Sequence, residues 1–128
     1  MDGLLIGRFQ PFHLGHLDAI LFGLSRTENL FIGIGSSNRS NEKKNPFSAQ
    51  ERREMIILSI EPSMIDHIKI FDIPDVDNHE KWTFEIDQIV PKYDIVFTND
   101  EFTKTLFEKR QINVVPVILK DREKFSGT

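Results

Sequence analysis

No cysteine occurs in the 128 residues. That excludes a disulfide framework, a thiolate nucleophile and any Cys-based zinc site. Excess positive charge is also missing: 16 Lys and Arg against 20 Asp and Glu give a formal charge of -4. A general nucleic-acid binder usually shows a basic surface, so none is expected here. An anionic small molecule is still allowed, because local charge can oppose the global sign. No apolar run approaches the roughly 20 residues that cross a bilayer. The N-terminus enters a strand-like run at once, without the charged-then-apolar layout of a signal peptide. The expectation is a cytoplasmic protein with no membrane partner. Repeats, low-complexity segments and linkers are missing too, and the length suits one domain with a real core.

Strand-like and helix-like segments alternate along the chain. "GLLIG" (3–7) reads as a buried strand ended by glycine. Residues 13–26 have helical spacing, with Leu14, Leu17, Ile20, Leu21 and Leu24 on one side. "NLFIGIG" (29–35) is a second strand, followed by the polar loop "SSNRSNEKKNPF". "SAQE" (48–51) has capping-box form, and its helix runs from 49 to about 60 because Pro62 cannot continue it. Strands at 67–73, 93–99 and 112–119 alternate with helices at 79–90 and 100–110. Pro116 places the last strand at a sheet edge. This order predicts an α/β fold: a Rossmann-like, doubly wound parallel five-stranded sheet with helices on both faces. Ligands of such folds bind at the carboxyl ends of the strands, near the point where strand order reverses. The loop after strand one lies there.

That loop, "GRFQPFHLGH" (7–16), concentrates polar chemistry. Gly7 allows a tight exit from the strand, and Gly15 lets backbone approach a ligand at the helix start. His16 falls in the first turn, where free N–H groups and the positive dipole end favour anions. Arg8 offers a planar, permanently charged fork for phosphate oxygens. His13 and His16 are three apart and can face one point if the helix begins near residue 13. The G-x-G-x-x-G pattern of a dinucleotide site and the G-x-x-x-x-G-K-[ST] of a P-loop are both absent. "GIGSSN" (33–38) has two of the glycines but follows strand two. Polyphosphate binding through paired histidines is the reading left.

"GRFQPFHLGH" closely resembles the signature of the His-x-Gly-His nucleotidyltransferases, and specifically the archaeal-type nicotinamide-nucleotide adenylyltransferases. The similarity continues in register through "IGIGSS" (32–37), "NPFSAQER" (45–52), "IPDVDNHEKW" (73–82), "YDIVFTND" (93–100), "LFEKR" (106–110) and "KFSGT" (124–128). The first motif is highly specific, the "NPF…ER" and terminal "SGT" pieces moderately so.

The resemblance implies joining of the 5′-phosphate of nicotinamide mononucleotide (NMN) to the α-phosphorus of ATP, giving NAD and pyrophosphate. Arg8, His13 and His16 would be the catalytic residues, acting by positioning and charge stabilisation without a nucleophile. Electrostatic anchoring explains the motif as well as a general base does. Gly7, Arg8, Phe9, Gln10, Phe12, His13, Gly15 and His16 would form the ATP site with Ser126 and Thr128. A magnesium ion (Mg2+) would ride on the ATP phosphates, with no protein metal ligand. Lys44, Asp75, Val76 and Trp82 would form the NMN site, Trp82 stacking on the cationic nicotinamide ring. "RSNEKK" (39–44) with Arg52 and Arg53 makes a basic stretch suited to recruiting anionic substrates. Relatives are often homo-oligomers, and Phe22 is a candidate interface residue.

The family's pattern is not matched everywhere. His79 stands where Asn is frequent, and "TND" (98–100) replaces a more usual Ser-Gly-Asn. The family motif Ser-Gly-Thr continues, two residues on, to an arginine. The expectation is therefore one nucleotidyltransferase domain over 1–128, cut short within that motif, with weakened ATP binding if the arginine is absent. Blander readings stand beside these: Trp82 as core packing, Asp75 as a turn residue, Lys44 as a solvated loop, Ser126 and Thr128 as a cap or tail. The rival functions are another adenylyl- or cytidylyltransferase with a different phosphate acceptor, and a non-catalytic nucleotide-binding protein.

Overall fold

The computed structural model describes residues 1–38, 40, 43 and 45–118. Five parallel strands lie in the order β3-β2-β1-β4-β5. They are β1 (Asp2–Gly7), β2 (Asn29–Gly35), β3 (Ile68–Ile73), β4 (Ile95–Phe97) and β5 (Asn113–Val115). The helices are α1 (Leu14–Arg26), α2 (Ala49–Ser59), α3 (Pro62–Ile65), α4 (His79–Ile89) and α5 (Glu101–Glu108). The doubly wound sheet expected from the alternation is present, with β5 at an edge as Pro116 requires.

The two-residue period of the strands sorts the core into two layers. Leu4, Phe31 and Val96 stand in register on one face, and Leu5, Ile32 and Phe97 on the other. Each row belongs to a separate apolar cluster, the first with Ile86 and Phe107, the second with Ile20 and Ile56. The buried central strands therefore read as continuous apolar runs. Gly3 is required by packing, because a Cβ there would lie 2.5 Å from the Phe97 ring.

Two expectations change. Leu14 is 57% exposed and leaves the apolar side of α1, because the helix starts there and the stripe begins only at Leu17. Pro62 does more than stop α2: it opens the short α3, a position that needs no N–H. Phe22, which is partly buried, packs edge-on against Phe97 at 5.9 Å. Among the described residues, no helix is long and apolar enough to cross a membrane.

Candidate active site

The chain passes outward from β1 through β2 to β3, then returns to place β4 on the other side of β1. That reversal leaves a crevice at the carboxyl ends of β1 and β4, where open α/β sheets bind ligands. A cleft of about 880 Å³ occupies it. Gly7, Arg8, His13, Gly15, His16, Asp75, Val76 and Trp82 all line this cleft. The first segment and the 75–82 segment, separated by some sixty positions in sequence, thus meet across the strand ends.

The histidines are built into the start of α1. His13 is the N-cap, its side chain accepting from the Gly15 N–H. His16 Nδ1 accepts from the His13 backbone N–H at 3.1 Å, closing a reciprocal cap in which both rings replace the usual Ser and Glu. Both Nδ1 atoms being acceptors, each neutral ring carries its proton on Nε2, which makes both Nε2–H groups donors. The two rings stack at 3.8 Å. His16 also lies 4.7 Å from the Phe9 ring and 5.6 Å from Phe12. Burial in that aromatic company, and secondly the electrostatic influence of the neighbouring His13 ring, lower the His16 pKa from 6.5 to about 4.

The loop itself departs from the expectation for Gly7. No glycine among the described residues takes a positive φ; the left-handed turn falls on Phe9, at φ 53°, ahead of a cis Gln10–Pro11 bond. Gly7 matters through its missing side chain, since a Cβ would sit 2.9 Å from the Phe9 ring. Phe9 is buried to 1% and forms the floor beneath the loop. Gln10 is paired with the Phe47 backbone in both directions, at 3.0 and 2.9 Å. Arg8 donates to Oδ1 of buried Asn45 at 2.6 Å.

On the far side, Ser36 at the end of β2 has φ 52° and donates through Oγ to Asp75 Oδ1 at 2.8 Å. The Asp75 N–H donates to Asn38 Oδ1 at 3.0 Å, so the start of the 75–82 segment is tied to the turn after β2. Trp82, on the first turns of α4, is half-buried: it borders the cleft and also meets Phe107 edge-on at 6.3 Å. Both readings of this tryptophan, packing and ring platform, are compatible with that position. At the β4 end, Asn99 exchanges two bonds with the Val117 backbone, Nδ2 to O at 2.9 Å and N to Oδ1 at 2.7 Å.

The basic stretch is corrected in part. Arg52 is fully buried and Arg53 pairs with Asp72 at 2.6 Å, so neither is an exposed cation for recruiting substrate. Lys44, Ser126 and Thr128 lie outside the described residues. Ser36, Asn38 and Asn99 were not assigned to the site from the sequence, although "GIGSSN" (33–38) and "TND" (98–100) contain them.

A Cytidylyltransferase-like family model matches residues 4–128. The chain is 39% identical over 124 residues to a nicotinamide-nucleotide adenylyltransferase of Thermoplasma acidophilum, covering 97% of this chain and 69% of that protein. It is 41% identical over 125 residues to the enzyme of the same name from Thermococcus sibiricus, covering 94% and 67%. Among solved structures, a bifunctional NMN adenylyltransferase/ADP ribose pyrophosphatase of Francisella tularensis, complexed with AMP and a manganese ion, superposes with a TM-score of 0.76 at 25% identity. That match covers 96% of this chain and 38% of the bifunctional one. Fold, cleft and motif loop thus agree with these matches, and the chain belongs to the archaeal-type nicotinamide-nucleotide adenylyltransferases within the cytidylyltransferase-like nucleotidyltransferases.

Proposed function

We propose that this chain joins NMN to the adenylyl group of ATP, releasing pyrophosphate and forming NAD. The His13–His16 pair stacked at the start of α1 carries this reading: both imidazoles and Arg8 line one crevice beside a helix N-terminus. A 5′-phosphate oxygen of NMN attacks the α-phosphorus of ATP, the bond to the bridging oxygen breaks, and pyrophosphate leaves. Arg8, His13 and His16 hold the phosphate oxygens and stabilise the charge that grows on them. His16, held neutral at pH 7, donates a hydrogen bond rather than a full charge.

Among the described residues, no group of three or more His, Asp or Glu side chains could hold a metal ion. A divalent ion, Mg2+ in this proposal, would enter on the triphosphate, as is usual for this hard, water-retaining cation. It neutralises phosphate charge; the donors of the loop orient what it carries. The NMN site in this reading lies across the strand ends, with Trp82 as ring platform and Asp75 and Val76 near the carboxamide; the family resemblance assigns the phosphate to Lys44.

Incubation with ATP, Mg2+ and NMN should yield NAD and pyrophosphate in equal amounts. The Trp82→Ala variant should raise the KM for NMN about tenfold, the scale of one lost ring stack, with the KM for ATP unchanged. Nucleotide binding without pyrophosphate would support a non-catalytic binder instead. Unchanged NMN kinetics in the variant would remove Trp82 from the site.

A further inference from the structure

Arg52 has no exposed surface, although it is a cation in the first turn of α2, and the reaction scheme above gives it no task. Its guanidinium donates to four backbone carbonyls. Nε donates to Ser48 O at 3.1 Å, Nη1 to Arg8 O at 2.9 Å and Gly35 O at 2.7 Å, and Nη2 to Ser36 O at 3.0 Å. These acceptors come from three separate parts of the chain.

Their location is informative. The β1–β2 ladder ends at the Gly7–Ile34 pair, so sheet bonding does not tie residues 8–9 to residues 35–36. Arg52 takes over one step beyond the last pair. The carbonyls it grips flank two left-handed kinks on side-chain-bearing residues, Phe9 at φ 53° and Ser36 at φ 52°. Such backbone persists only where its surroundings over-determine it, and it clusters at functional sites. One kink turns Arg8 and the histidine loop into the cleft. The other presents Ser36, whose Oγ holds Asp75.

We propose that Arg52 is a positioning residue that fixes the ATP-side loop and the NMN-side turn relative to each other, and so sets the line of attack on the α-phosphorus. This rests on the adenylyl-transfer reading above. The guanidinium touches neither substrate. Its planar fork bonds several carbonyls at fixed angles, which an ammonium group of similar charge cannot reproduce. Displacement at phosphorus is sensitive to alignment, a shift of about 1 Å being able to cost on the order of 100-fold in rate. Each substrate still finds its own half-site when the joint loosens, so the loss should fall on turnover.

The test compares the unmodified chain with Arg52→Lys, which keeps the charge and loses the fork. ATP and NMN are varied separately at a temperature where circular dichroism shows both proteins folded. The expected result is a kcat lower by on the order of 100-fold, with both KM values within about threefold of the unmodified chain. If Arg52→Lys does not accumulate as folded protein, Arg52→Gln replaces it, since it buries no charge and keeps two N–H donors. A folded variant with unchanged kcat per molecule, showing only a lower melting temperature, would overturn the proposal. So would failure of both variants to fold even with the substrates present, which would make Arg52 a folding determinant alone. If the unmodified chain itself makes no dinucleotide, the adenylyl-transfer reading fails first and takes this inference with it.

Discussion

Phe9, Phe12 and His13 crowd the His16 ring, and that company has a consequence for stability as well as chemistry. In the unfolded chain a histidine takes up its proton near 6.5; in the folded protein His16 resists it until about 4. The unfolded state thus binds more protons through that window, and stability falls as pH falls across it. Above 6.5 the contribution is fully present, and near 4 it has been lost. Urea unfolding at pH 7.5 and pH 5 should show a larger loss for the unmodified chain than for His16→Asn. Equal losses would mean that His16 is not buried as described. At this scale Arg8, His13 and His16 were legible because all three lie within one loop of ten residues. Arg52 was not, because its acceptors stand at positions 8, 35, 36 and 48 and an arginine in a helix reads as solvated surface.

Helix α2 shows how an element's local signals serve a distant site. Ser48 Oγ accepts from the Glu51 N–H at 3.1 Å, and Glu51 Oε1 accepts from the Ser48 N–H at 2.8 Å. That reciprocal cap fixes where α2 begins, and hence where Arg52 enters the core. Loss of an N-cap side chain costs about 1 kcal/mol. Ser48→Ala should therefore lower unfolding free energy by about that amount in a denaturant titration. A change near zero would show that tertiary bonds to Arg52 hold the helix start unaided. The capping box, the strand runs and the edge position of β5 were readable because each depends on neighbours in sequence. Other features were not: α3 hides behind a proline that also ends α2, and Leu14 fits the helical stripe on paper while the helix start leaves it in solvent. The kink at Phe9 gave no signal either, since an unfavourable φ at a non-glycine residue is imposed by packing around it.

The whole molecule carries a formal charge of -4 and yet is read as gripping a triphosphate. Topology reconciles the two, because the strand order brings Arg8, two histidine donors and a helix N-terminus to one crevice regardless of the net sign. The alternation of strands and helices made that crevice predictable in kind. Its lining was predictable on the β1 side, where a motif marks it, and poorly predictable on the β2 and β4 sides, where single small polar residues complete it. On this reading the triphosphate is held by the His13–His16 pair beside Arg8. Calorimetric titration of ATP with Mg2+, paired with turnover, on the unmodified chain and the His13→Ala/His16→Ala variant tests it most directly. In the double variant ATP affinity should weaken by at least about tenfold and kcat should fall by on the order of 100- to 1,000-fold, the scale of lost transition-state donors. Unaltered affinity and turnover in the double variant would contradict it.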